Sequence, residues 1–366
     1  MQFRTALIAA TLAGAILAVA APPAAVAADN ALRLEASSQE MVWNAVAVHA
    51  GRIYVAGPRW TDGKGPALAM LDRDGRPRAY PDGAWNGWRP GQDPAHAFVN
   101  VNAIHLDGQG SLWAIDTGAP DFGGDPLPQG AKAVRIDLAS GRVTRVIAFG
   151  PGVALPGSYI DDIRFNGRRA YLTDAGRPGL IVLDLDSGAA RRVLDGHPSV
   201  TAPKGRHIDV AGTVVRGADG QPLAVNADPF ELSPDGATLY FGSLSGPWSQ
   251  VPTRLLDDPA VPAAALAAAV RPWADIPPVG GTAIDGAGNL YYADLRSTSI
   301  VRRSPDGKLT TLVRDPALHW VDAPVIADGR LWLPVPQMDR MRAFNGGVSR
   351  VQWPIRLYSI ALEERP

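Results

Sequence analysis

The sequence predicts an all-β fold, a six-bladed β-propeller of four-stranded antiparallel blades. A hairpin signature recurs along the chain, a second hairpin type follows most copies of it, and the composition is rich in turn residues, with 39 Gly and 33 Pro in 366 residues. Two hairpins per unit make a four-stranded meander, and repetition of that unit is the signature of a propeller.

The N-terminus comes first in the chain and is read apart from the fold. Arg4 precedes an apolar run from Ala6 to Ala21, Pro22 and Pro23 break it, and Ala25, Val26 and Ala27 offer the small-x-small pattern of a cleavage site. Residues 1–27 are therefore expected to be a signal peptide, leaving residues 28–366 as one propeller domain in the periplasm or outside the cell. No later segment is apolar for long enough to span a bilayer. With no cysteine in the chain, disulfides and thiolate sites are excluded, and the fold must be held by core burial. A formal charge of −1 and scattered arginines argue against a nucleic-acid partner. A monomer acting on a small molecule is expected.

The first hairpin is plainest from Asn102 to Trp113, from Asp228 to Tyr240 and from Gly280 to Tyr291. Shorter-turn copies run from Asn44 to Tyr54, from Asp161 to Tyr171 and from Asp322 to Trp332. Asp-Gly and Asn-Gly pairs stand where such turns need positive φ. The second hairpin is expected at Leu68–Gly75, Val134–Gly141, Leu180–Gly188 and Val301–Gly307, with a looser copy at Met341–Gly347. Val261 to Val270, rich in alanine, reads as a short helix between the fourth and fifth units. Ring closure is expected from a terminus, either Ala31–Ala36 or Pro354–Leu362.

In a propeller the innermost strands line the axial channel, so their first residues converge at one mouth. That ring is predicted to be Asn44, Asn102, Asp161, Asp228, Gly280 and Asp322, five of which carry side-chain oxygen. Such residues also cap turns. Clustered acids either take up protons or recruit a cation, and hard divalent ions such as Ca²⁺ favour oxygen ligands. Asn44, Asp161 and Asp228 are accordingly candidate ligands of a divalent cation, Ca²⁺ or similar. Loops after the second strands fall on the same face, which makes Arg59, Trp60 and Trp248 candidate substrate contacts, with Asn102 beside them. His96 or His319 could form a His-Asp pair there, whereas His49 and His105 lie within inner strands and point away from the mouth. There is no nucleophile elbow and no phosphate loop.

The stretch from Leu106 to Gly118 resembles the most characteristic segment of the yellow/major royal jelly protein family. Gly57–Trp60, Gly65–Leu68, Leu239–Ser245, His319–Asp322 and Leu331–Trp332 resemble further parts of it. The resemblance implies a secreted six-bladed propeller, and relatives linked to dopachrome tautomerisation, to amine binding or to no catalysis. A more distant resemblance runs to the gluconolactonase/regucalcin, strictosidine-synthase-like propellers, which hold a divalent cation at the mouth. It places Asp228 on that family's aspartate ligand, Asp161 on its asparagine ligand and Asn102 on a substrate-side asparagine, while Asn44 replaces its glutamate. The leading expectation is a metal-dependent lactone hydrolase, with the cation polarising the carbonyl and Asp228 or Asp322 as general base. A non-catalytic binder of aromatic amines or phenolics, and a tautomerase-type isomerase, stay open beside it.

Overall fold

The computed structural model describes residues 32–362; the expected signal peptide lies outside the described residues. Six four-stranded antiparallel sheets stand in a ring. Their inner strands are Ala45–His49, Val101–Leu106, Ile160–Asn166, Ala227–Leu232, Val279–Ile284 and Val325–Ala327, one for each of blades 1 to 6. Each runs outward through successive hairpins, as in blade 3, where Ile160–Asn166 is followed by Arg169–Asp174, Gly179–Asp184 and Ala190–Val193.

The ring holds because each sheet buries both faces. Tyr54 and Leu68 of blade 1 pack on Leu112 and Val134 of blade 2. Ile115 and Ala133 of blade 2 meet Ile163 and Leu172 of blade 3, and Tyr171 and Leu180 meet Phe230 and Phe241 of blade 4. Blades 5 and 6 join through Tyr291, Ile300, Leu331 and Leu333. Strands buried on both faces read as apolar runs with little alternation, as the second strands here do.

Both termini close the ring. Ile355–Ala361 forms the third strand of blade 6 and Arg33–Ser38 the fourth, pairing antiparallel. The two alternatives drawn from the sequence are thus both used, at different positions in one sheet.

Two insertions depart from the meander. The alanine-rich helix forms at Ala263–Ala269, after one turn at Thr253–Asp257. The connection between blades 3 and 4 carries a small hairpin, Asp209–Val210 with Thr213–Val214. The expected hairpin at Met341–Gly347 is not a strand pair: the chain makes two 3-10 turns, Met338–Arg340 and Arg342–Phe344. Asn345 Nδ2 ties them by donating to the carbonyls of Asp339 and Met341, at 2.7 and 2.9 Å. Coiled in this way, the segment lies over the mouth instead of extending the blade.

An aspartate at the end of the second strand pins the start of the inner strand in blades 2 and 3. Asp116, fully buried, accepts from the main-chain N–H of Val99, Asn100 and Gly118 and pairs with buried Lys132 at 2.7 Å. Asp174 does the same in blade 3, accepting from Ser158 Oγ, the N–H of Tyr159, Gly176 and Arg177, and Arg192. These two aspartates belong to the scaffold under the mouth and not to its wall.

Candidate functional site

Asn44, Asn102, Asp161, Asp228, Gly280 and Asp322 do converge, and all six line one cavity of about 330 Å³ at the channel mouth. The ladder between inner and second strands shifts register at this level in four blades, between Val101 and Ala103, Ile160 and Ile163, Ala227 and Phe230, and Val279 and Thr282. Irregularities of this kind re-aim a side chain, and Asn102, Asp161, Asp228 and Gly280 sit inside them. Pro229, which has no N–H to give, falls in one of them without loss. Gly280 is the ring member without oxygen for a steric reason. A Cβ there would lie 2.0 Å from the carbonyl oxygen of Val321, and one on Gly281 would lie 2.3 Å from Ala323 N.

The polar floor is a connected network. Asn44 Nδ2 donates to Asn102 Oδ1 at 3.2 Å, Tyr159 OH donates to the same oxygen at 2.8 Å, and Asn102 Nδ2 donates to the Asp161 carboxylate. Asn44 Oδ1 is buried and has no hydrogen-bond partner. Burial raises Asp161 to about 7, with a hydrogen bond from Asp228 acting in the opposite sense. Burial, and then the charge and hydrogen bond of Asp161, hold Asp228 well above the usual carboxylate range. Burial followed by the charge of Asp161 does the same to Asp322. The floor thus favours protons or a cation over bare carboxylates.

The walls are aromatic and aliphatic. Trp60, Phe122, Tyr159 and Phe344, from blades 1, 2, 3 and 6, are in mutual contact. Ring centroids are 4.9 Å apart for Trp60–Phe122, 5.0 Å for Phe122–Phe344, 5.9 Å for Trp60–Phe344 and 5.9 Å for Phe122–Tyr159. Trp320, Leu223, Val225, Leu244 and Met338 complete the enclosure. An ion pair between Arg342 and Asp62 fastens the Phe344 segment to the loop that carries Trp60. No Lys, Arg or His is found among the described residues that line this cavity.

Of the four residues expected at the mouth as substrate contacts, Trp60 and Asn102 line this cavity and Arg59 and Trp248 do not. Arg59 turns away: its guanidinium donates to the carbonyls of Val99, Asn86 and Phe98 and lies over Trp88 at 5.7 Å. It clamps the blade 1 loop to blade 2. Trp248 is buried in the third strand of blade 4 against Trp273 and lines a separate groove beside His197 and Pro272. His319 Nε2 meets both oxygens of Asp339 at 2.9 Å, so the His-Asp pair exists, yet neither lines the cavity.

Tyr159, Trp320, Phe122 and Phe344 were missed at the level of sequence. A signal existed for two of them. Tyr159 and Trp320 stand two residues before the ring members Asp161 and Asp322, and alternation puts i and i−2 on one face. Trp320 also adopts φ of +57°, a strained conformation of the kind that clusters at functional sites.

Below the ring the channel narrows and is crossed by an ion-pair layer. Arg164 is bidentate to Glu231 at 2.9 and 3.0 Å and also pairs with Asp162, and Thr282 Oγ1 donates to Glu231 at 2.9 Å. A second cavity of about 420 Å³ opens on the far face, lined by His105, which burial and Arg164 lower to about 4. On its floor Arg164 and Glu231 are paired with each other.

Residues 99–362 match the model of the family described as "Major royal jelly protein". The chain belongs to the major royal jelly protein family. Among relatives of this family, Protein yellow of Drosophila melanogaster is 29% identical over 249 residues, covering 63% of this chain and 44% of the relative. That of Drosophila erecta is 28% identical over 222 residues, covering 57% and 40%. The chain therefore spans less than half the length of these relatives. Among solved structures, virginiamycin B lyase from Staphylococcus aureus superposes with a TM-score of 0.50 at 10% identity, covering 91% of this chain and 99% of that one. A gluconolactonase from Xanthomonas campestris gives 0.48 at 15% identity, covering 90% and 100%. At 10% identity the first likeness is one of fold, and no chemistry passes to the royal jelly family member from either.

Proposed function

We propose that the mouth cavity of this royal jelly family member binds a small aromatic amine. One observation carries the reading: an aromatic enclosure stands over a floor of three acids and two amides, with no basic side chain in the lining to neutralise them. A protonated amine supplies the missing charge to Asp161 and Asp228, and its ring lies in the cavity against the wall formed by Trp60, Phe122 and Phe344. Cation–π attraction to these rings adds to the ion pair. Binding measured by calorimetry with tryptamine should show one site per chain. Asp228→Asn, which keeps the shape and removes the charge, should weaken it about tenfold or more. Unchanged affinity in that variant would remove the reading.

A second reading, hydrolysis of a lactone assisted by a divalent cation, is favoured by the orphaned Asn44 Oδ1 beside the Asp161–Asp228 pair. Among the described residues no three His, Cys, Asp or Glu side chains are grouped to hold a metal ion. A cation would therefore rest on two carboxylates and this one amide oxygen, since the Asn102 oxygen already accepts two hydrogen bonds. When bound, such an ion supplies polarisation of an ester carbonyl. Burial and the charge of Asp161 hold Asp228 well above the usual carboxylate range, which favours the protonated form, and a neutral carboxyl accepts no proton. It can serve as a base only once ionised, while Asp322 stands at the same mouth as the alternative. Elemental analysis of purified protein should find a stoichiometric divalent ion on this reading, lost in Asp161→Ala. Metal-free protein that binds amines supports the first reading instead. Export through residues 1–27 is part of the same proposal, and N-terminal sequencing of the mature protein checks it.

A further inference from the structure

An indole N–H can donate a hydrogen bond and cannot accept one. Trp60 Nε1 donates to Tyr159 OH at 2.9 Å. The phenol oxygen is thereby an acceptor, and its own proton goes on to Asn102 Oδ1 at 2.8 Å. Only the carbonyl end of an amide can take that proton, so Asn102 turns its Nδ2 toward the Asp161 carboxylate and, at 3.5 Å, the Asp161 main-chain oxygen. Asn44 Nδ2 gives to the same Asn102 oxygen, which leaves Asn44 Oδ1 facing no donor. Trp60 sets the direction of the Tyr159 hydroxyl, and that hydroxyl acts with the Asp161 carboxylate to set Asn102 and, through it, Asn44.

We propose that Tyr159 is a positioning residue that carries the donor direction of Trp60 into the floor, so that the floor offers acceptors and selects a cationic ligand over a neutral one of the same shape. The inference rests on the amine-site reading above. Tyr159 is itself held for this task, its N–H donating to Asp174 at 2.8 Å while its ring lies 5.9 Å from Phe122. The phenol O–H is the donor in its bond to Asn102 Oδ1. Without the hydroxyl, Asn102 loses one of the hydrogen bonds that hold its oxygen toward the wall, and only Asn44 Nδ2 and the Asp161 carboxylate oppose its turning over. Its oxygen would then face Asp161, and its N–H groups would stand at the mouth where a cation must enter.

The test uses the full chain and two probes with one ring system, tryptamine and indole-3-ethanol, titrated by calorimetry. Wild-type protein should prefer the amine. Tyr159→Phe, shown folded by its melting temperature, should hold indole-3-ethanol within about threefold while the amine weakens about tenfold, collapsing the preference. A preference equal to wild type in Tyr159→Phe overturns the proposal. Trp60→Phe keeps a ring and removes the donor; combined with Tyr159→Phe it should add no further loss of discrimination, whereas full additivity would show two independent wall contacts. One readout needs no ligand: the side-chain NH₂ signal of Asn102 in ¹⁵N spectra should move in Trp60→Phe. If it stays put, no direction is passed from wall to floor. Wild-type protein that binds neither probe, with that signal moving as expected, would refute the amine reading and leave the relay standing.

Discussion

Lys132→Met is expected to destabilise the protein by about 3–5 kcal/mol, because it removes one partner of a buried ion pair and leaves the other uncompensated. Both side chains are fully inaccessible to solvent, and the ammonium lies 2.7 Å from Asp116. Asp116 is the anchor that gathers the N–H groups of Val99, Asn100 and Gly118, so its displacement should loosen the segment leading to Asn102. Denaturant unfolding measures the loss. The paired replacement Lys132→Met with Asp116→Leu should recover part of the charge penalty but not the main-chain anchoring. A single variant as stable as wild type would mean that the pair is not buried as described.

The ligand-free protein is also expected to lose stability as pH rises from about 4 to about 7. Asp161 has an ordinary value of 3.8 and is raised to about 7 in the folded chain. Between those values the folded state retains a proton that the unfolded state has released, so stability is full below the lower value and falls toward the upper one. The change is on the order of a few kcal/mol across that window. Asp228 and Asp322 are raised as well and extend the decline in the same direction. Melting temperature against pH should flatten in Asp161→Asn, and a bound amine should restore stability at neutral pH. A wild-type profile flat over that range would show that the three acids are better solvated than their burial implies.

These predictions draw on different layers of the molecule, and the layers were not equally legible. The ring of Asn44, Asn102, Asp161, Asp228, Gly280 and Asp322 could be read from the chain because repetition turns a three-dimensional circle into a one-dimensional register. Trp60 was found by the same rule. Arg59, its neighbour, was not correctly placed: the rule finds the loop but not which carbonyls a long side chain will find there. Trp248 follows a second strand by as many residues as a mouth residue would, yet Trp273 and Gly242 draw it into the blade, where a Cβ on Gly242 would come within 2.8 Å of its ring. Phe122 and Phe344 come from segments with no period to follow, and they meet beside the ion pair of Asp62 and Arg342 that joins the outer loops of blades 1 and 6.

The sequence by itself determined the number of blades, the family and the six positions that face the mouth. Each of these is encoded in local turn chemistry and repeated spacing, which require no knowledge of distant contacts. The tertiary structure alone decided the burial that raises the proton affinity of Asp161, Asp228 and Asp322, the direction of the hydrogen bonds from Trp60 to Asn102, and the aromatic enclosure above them. Those properties arise from burial and from contact between residues far apart in the chain, and neither exists until the ring has closed.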